Sequence, residues 1–263
     1  MYVHPVFGPV APELGWVPAP RYLLRRARVL RLLATVERGR LLEIGCGAGV
    51  LCQEVARLGF RCSALESSAR ALQVARRVNE GLGGRVALHD RPCPGWEAAF
   101  DVVMAVEVLE HIEDDRAALE QWARWLRPGG VLLLSVPAHM ARWNARDVWA
   151  GHYRRYERPN LENVLDRCGL EVRKVECYGV PLANLLERLA HWRYRAALAP
   201  HETEKTSAER TARSGVDRGV ESRLFGLLRN PLGVVAMRCC CLAQVPFLGS
   251  DLGSGYIALA VRP

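Results

Sequence analysis

At 263 residues, half of them hydrophobic, the chain can bury one sizeable core, and one domain with an embellishment is expected rather than two equal domains. No apolar run reaches the roughly 18 to 20 residues that span a bilayer, the amino terminus lacks a charged-then-apolar signal layout, and nine cysteines with no CxxC pair point to buried thiols, so a cytoplasmic protein without disulfides or a zinc site is expected. The net charge of +8 is almost wholly arginine spread along the chain, which predicts a solvated basic surface and, with no recognition module in view, no nucleic-acid partner.

From about Ala19 to Val36, Tyr22, Val29, Leu33 and Val36 recur at helical spacing between arginines, a basic amphipathic helix that completes an N-terminal segment of residues 1–40. The first strand, the apolar run from Leu41, breaks into Gly45, Gly47 and Gly49, and Leu51, Val55 and Leu58 then share a helical face that Gly59 stops. A second strand, Arg61 to Leu65, ends in Glu66, and Ser67 or Ser68 can cap a helix carrying Ala71, Val74, Ala75 and Val78. The third strand runs from Arg85 to His89 and ends at Asp90; the fourth runs from Phe100 to Ala105. Asp114 or Asp115 opens a helix with Leu119, Trp122 and Leu126 in register, and Arg127 to Gly130 (RPGG) make the turn into the fifth strand, Val131 to Val136.

A helix with Leu161, Val164, Leu165 and Cys168, ended by Gly169, feeds a sixth strand, Glu171 to Cys177; a seventh, Gly255 to Val261, follows a long excursion over residues 181–250. The excursion is expected to be mostly helical. It opens with an amphipathic helix (Leu185, Leu189, Trp192), passes through a polar stretch from His201 to Ser222 expected to be mobile, and returns through the apolar segment Leu224 to Leu248. That segment is expected to pack over the sheet or to form a dimer contact, with a membrane surface as the alternative. Strands alternating with helices predict an α/β fold: a Rossmann-like, seven-stranded, mostly parallel sheet with helices on both faces, its core formed by residues 41–180 and 251–263, with ligands at the carboxyl ends of the strands.

Glycines spaced as Gly45, Gly47 and Gly49 let backbone approach a ligand that side chains would exclude, and a carboxylate at the end of the second strand, Glu66, can accept hydrogen bonds from both hydroxyls of a ribose. Taken in order, LLEIGCGAGVL, ALESS, VALHD, FDVVMAVEVLEHIEDD and LRPGGVLLLSVP resemble the motif set of the class I S-adenosylmethionine-dependent methyltransferases, from about Trp16 to Val180 and again at the last strand. The run WNARDVWAGHYRRYERPNL resembles a branch of small-molecule type with a GHxRRY segment after the fifth strand. The resemblance implies S-adenosylmethionine as cofactor. It implies that Glu43 orients the methionine ammonium, that Gly45, Cys46 and Gly47 give close backbone contact, that Glu66 holds the ribose, that Asp90 accepts from the adenine amine with the Arg91 N–H beside the ring, and that Ala105 and Val106 lie near the sulfonium. Cys46 is then a small packing residue and not a nucleophile.

Methyl transfer from a sulfonium is an in-line displacement, so the protein contributes mainly alignment and exclusion of water, and a base only where the acceptor must lose a proton. Candidates lie after the fourth and fifth strands. His111 stands close to the expected methyl position, with a helix start or a backbone bond as its alternative role, and the loop from Ala138 to Pro159 gathers His139, Trp143, Trp149, His152, Tyr153 and Tyr156, a density of aromatic groups suited to a planar or apolar acceptor or, for Trp143 and Trp149, to packing of a lid on its own domain. His152 is the leading base, with Asp147 five residues earlier as its orienting carboxylate, while Arg154 and Arg155 are expected to be structural. The expected function is methyl transfer to a small-molecule acceptor at oxygen, with nitrogen as the second choice, in specialised metabolism. Methylation of a peptide carboxylate and a silent cofactor-binding interaction module are the alternatives, and a homodimer is left open.

Overall fold

Why each element forms can be followed along the chain in the computed structural model, which describes residues 1–188, 225–226 and 228–263. Strands β1 (Tyr2–His4) and β2 (Gly8–Val10) pair as an antiparallel hairpin that sequence pattern did not foretell, three residues being too few to show alternation. Helix α1 (Pro20–Leu33) starts on a proline, whose missing N–H is no loss at the first helical position, and buries Leu23, Leu24, Val29, Leu32 and Leu33. Then β3 (Arg40–Ile44) enters the glycine turn and α2 (Val50–Arg57), and β4 (Arg61–Leu65) leads to α3 (Ala69–Asn79), where the Ser68 hydroxyl caps the Ala71 N–H at 3.4 Å. After β5 (Val86–His89) and β6 (Phe100–Val106), Asp114 caps α4 (Asp115–Trp125) by accepting from the Ala117 N–H at 2.9 Å. The order closes with β7 (Leu126–Pro137), α5 (Ala145–Ala150), α6 (Arg158–Arg167), β8 (Glu171–Tyr178), α7 (Pro231–Ala243) and β9 (Gly255–Val261).

The seven-stranded sheet has the order β5-β4-β3-β6-β7-β9-β8. The first five are parallel; β9 runs antiparallel to both β7 and β8, between which it lies. Alternation along the buried strands splits the core. Leu41, Val102, Met104 and Leu133 face α1, α2 and α7, while Leu42, Val103, Leu132 and Leu134 face α4 and α6.

The expected turn at Arg127 to Gly130 is instead part of β7. Leu126 pairs with Phe100 and Val131 with Val102, so RPGG bulges out opposite Asp101 alone. Gly129, at φ +75°, donates to the Arg262 carbonyl at 2.7 Å and Gly130 accepts from the Arg262 N–H at 2.9 Å, which keeps the bulge in the sheet. Helix α4 accordingly stops before Leu126. The expected mobile stretch from His201 to Ser222 lies outside the described residues, as do Leu189 and Trp192; Leu185 is described and 56% exposed. All nine cysteines are free thiols, of which Cys46, Cys52, Cys62 and Cys177 are buried, but Cys239 is exposed. Among the described residues no helix is long and apolar enough to cross a membrane.

Candidate functional site

The glycine turn is held shut by the residue expected to bind ribose. Gly45, Gly47 and Gly49 have φ of +65°, +54° and +68°, conformations that favour glycine, and a Cβ on Gly45 would come within 2.6 Å of Val108 Cγ2. The Glu66 carboxylate accepts from the Gly47 N–H and from the Ser68 N–H, each at 2.8 Å. Each of its oxygens keeps a second lone pair for a hydroxyl. Glu43 is 3% exposed, and its Oε2 has no hydrogen-bond partner among the described residues. Burial, and after it the negative charge of Glu66, pushes its carboxyl up to about 8 against hydrogen bonds from Cys52. A buried carboxyl with one oxygen unpaired, beside a turn of glycines, is what an ammonium-bearing ligand would complete.

Cys46 is buried, and desolvation raises its thiol well above the ordinary range, which fits packing and not nucleophilic attack. Its N–H and that of Gly45 both donate to the Leu65 carbonyl, at 3.2 and 2.8 Å. Asp90 stands at the end of the neighbouring strand β5, exposed and paired with Arg91 at 3.2 Å, and the Glu66 N–H donates to the His89 carbonyl just before it. Ala105, in register with Ile44, and Val106, opposite Ser135, end β6 beside the same turn.

A second cluster lies past the end of β6, joined to the turn through Val108. His152 Nδ1 is 2.8 Å from Asp147 Oδ1, so the chain does bring together the residues singled out five positions apart. Asp147 also takes both Nε (2.9 Å) and Nη2 (2.7 Å) of Arg155 and the Asn144 N–H (2.9 Å) that completes the capping box of α5. Burial would raise its pKa, but His152 and Arg155 overcome this and hold it well below the usual carboxylate range. Arg155, its side chain 1% exposed, reaches Glu187 at 2.6 Å on its other side. Arg154 pairs with Asp115 at 2.7 Å and Tyr156 donates to the same carboxylate at 2.7 Å; both are structural, whereas Tyr153 is 41% exposed.

His111 meets His152 edge to face, the ring centroids 4.7 Å apart, and burial lowers its pKa to about 4, His152 adding to the effect. Burial likewise lowers the pKa of His152, opposed by Asp147. Sequence reasoning singled out His111 in EVLEHIEDD and passed over two acids in the same run. Glu110 is fully buried with neither oxygen hydrogen-bonded among the described residues, its Oε1 3.9 Å from His152 Nε2, and burial, then Glu107, pushes its carboxyl far up. Glu107, at φ +57°, receives Arg25 at 3.2 Å, Arg21 at 3.6 Å, the Ser135 hydroxyl at 3.1 Å and the Tyr178 hydroxyl at 3.3 Å. Against the rise that burial imposes, the two arginines hold Glu107 down to about 2. An acid inside an apolar run was the available signal, since burial demands a partner. No metal was expected, yet Glu110, His111 and His152 offer ligand atoms all within 4.8 Å of one another, the one such group among the described residues.

Residues 19–175 match the protein family described as a methyltransferase domain. The ubiquinone biosynthesis O-methyltransferase of Caulobacter sp. (strain K31) is 37% identical over 101 residues, 37% of this chain and 40% of that protein. That of Sinorhizobium medicae (strain WSM419) is 32% identical over 162 residues, 55% of this chain and 65% of that protein. The chain thus spans less than two thirds of the length of these relatives. Among solved structures, Haemonchus contortus phosphoethanolamine N-methyltransferase 2, in complex with S-adenosyl-L-methionine, aligns with a TM-score of 0.56 at 18% identity, over 91% of this chain and 52% of that one, which shows a shared fold. With the family match over more than half its length, the glycine turn closed by Glu66 and the buried Glu43 with its unsatisfied Oε2, the chain belongs to the methyltransferase-domain family, as a class I S-adenosylmethionine-dependent member.

Proposed function

We propose that this chain methylates an oxygen of a small-molecule acceptor and that His152 takes the acceptor's proton. The pairing of His152 with Asp147 carries the reading. Asp147 is ionised and accepts, so His152 Nδ1 bears the hydrogen and Nε2 keeps a lone pair; with its pKa lowered, the ring is neutral at neutral pH and competent as a base. Arg155 fixes the carboxylate, so the ring has one orientation. S-adenosylmethionine, when bound, supplies an electrophilic methyl carbon on a sulfonium. Glu43 would meet its ammonium, Gly45, Cys46 and Gly47 its backbone-lined groove, Glu66 the ribose hydroxyls, Asp90 and the Arg91 N–H the adenine, and Ala105 and Val106 the sulfonium end.

The likeness to O-methyltransferases of ubiquinone biosynthesis supports oxygen over nitrogen. A peptide carboxylate arrives already ionised and a silent binding module moves no proton, so neither gives the buried Asp147–His152 pair a use. His152→Ala, assayed for S-adenosylhomocysteine formation on a panel of phenols and alcohols, should bind cofactor as before and lose roughly a hundredfold to ten-thousandfold in turnover. Near-native turnover would refute the base and favour an acceptor that needs none.

A further inference from the structure

Helix α7 is apolar on two sides, and only one has a partner among the described residues. Its inner side packs on α1: Met237 is buried, and Gln244, just past the helix, donates to the Leu24 carbonyl and accepts from the Gly179 N–H, both at 3.1 Å. On the outer side, a turn of about 100° per residue brings Leu232, Val235, Cys239 and Leu242 into one stripe. Leu232 is 82%, Val235 57% and Leu242 70% exposed, and the following turn adds Val245 and Phe247, 47% and 38% exposed. Scattered apolar residues at a surface need no explanation, but a contiguous row marks an interaction face. From Phe225 to Ser250 the sequence holds no acidic residue, and its two charged side chains, Arg229 and Arg238, are exposed, Arg238 at the edge of the stripe.

We propose that this face of α7 lies on an anionic lipid surface, Leu232, Val235, Leu242 and Phe247 entering the boundary between headgroups and acyl chains while Arg229 and Arg238 meet lipid phosphates. Charge decides against a second copy as the occupant. An isologous contact would bring the four arginines of two such patches together, on two chains each carrying +8, with no acid in either patch to pair them. A bilayer bearing negative headgroups supplies both things the face lacks, an apolar phase and counter-charge. The inference does not depend on which acceptor is methylated.

Flotation of the full chain with vesicles of phosphatidylcholine, with or without phosphatidylglycerol, tests it. The protein should float with the anionic vesicles, less with the zwitterionic ones, and less again as salt rises. Leu232→Asp and Leu242→Asp should each lower partitioning at least about tenfold, and Arg229→Gln with Arg238→Gln by roughly tenfold or more, with thermal midpoints unchanged because all four side chains are exposed. Alkylation of Cys239, followed by peptide mass spectrometry, should be fast in the free protein and slowed by anionic vesicles. Three results would overturn the proposal: wild-type protein left unbound at low salt, a dimer in sedimentation that Leu232→Asp dissociates, or slow alkylation of Cys239 in the free monomer, which would mean that the chain itself covers the face.

Discussion

Replacing Arg155 by methionine removes one cation and leaves two buried carboxylates facing each other's vacated partner. Asp147 and Glu187 have side chains only 2% and 9% exposed, so water cannot take over from the guanidinium. Breaking a buried pair from one side typically costs about 3 to 5 kcal/mol. Asp147 keeps His152 and the Asn144 N–H, which places this case toward the lower end, about 3 kcal/mol. A second effect separates this loss from simple damage. Arg155 Nε lies 2.9 Å from the same Asp147 oxygen that holds His152 Nδ1, so its removal strips a positive charge from beside the imidazole and favours the imidazolium. The His152 pKa, lowered in the wild type, should therefore rise, and the acid limb of the activity profile should move to higher pH. Urea unfolding at neutral pH measures the first effect and proton NMR titration of His152 the second. A loss below about 1 kcal/mol together with an unmoved histidine titration would show that Arg155 does not restrain the pair.

Glu66→Ala removes the acceptor of the Gly47 and Ser68 N–H groups, and calorimetry should find S-adenosylmethionine and S-adenosylhomocysteine bound roughly ten to a hundred times more weakly, for a charged acceptor worth about 1.5 to 3 kcal/mol; unchanged affinity would remove Glu66 from the site. Because burial holds Glu43 near 8, it is protonated in the free protein at neutral pH and must ionise against an ammonium, so binding of S-adenosylhomocysteine should release protons at neutral pH and progressively fewer above the folded pKa. Titrations in buffers of different ionisation enthalpy measure this, and a release that persists in Glu43→Gln would sink it. Gly45→Ala must hold φ +65° and push Val108 aside, and a loss of about 2 to 4 kcal/mol in thermal or urea unfolding is expected, whereas a variant of native stability would mean that the turn has another accessible shape.

The strands of the large sheet were legible as short apolar runs, β3, β4, β5, β6 and β8 each being followed by a glycine or an acid (Gly45, Glu66, Asp90, Glu107 and Gly179), and Gly255–Val261 matched the expected bounds. The helix caps at Ser68 and Asp114 were legible for the same local reason. Asp147 and His152 could be paired in advance since five residues across one short helix leave little room for error. What stayed hidden depends on distance in the chain. Arg21 and Arg25 reach Glu107 from a helix more than eighty residues earlier, and no local pattern tells an arginine that crosses the sheet end from one that faces water. RPGG carries every local mark of a turn, and it takes the pairing of Leu126 with Phe100 and the bonds to Arg262, far along the chain, to make it part of a strand.

Strand β9 is read out after β8 yet sits inside it, against β7. On a ribosome adding about 5 to 20 residues per second, the five parallel strands can assemble early, while the apolar edge of β7 waits through everything between Tyr178 and Gly255 for the one strand that covers it. Strand β8 meanwhile has no hydrogen-bonding neighbour of its own, because β9 is its sole partner in the sheet. The nascent chain therefore carries an open, hydrophobic strand edge for longer than its size alone requires, a period in which pairing with other chains competes with completion and in which a chaperone would find its binding site.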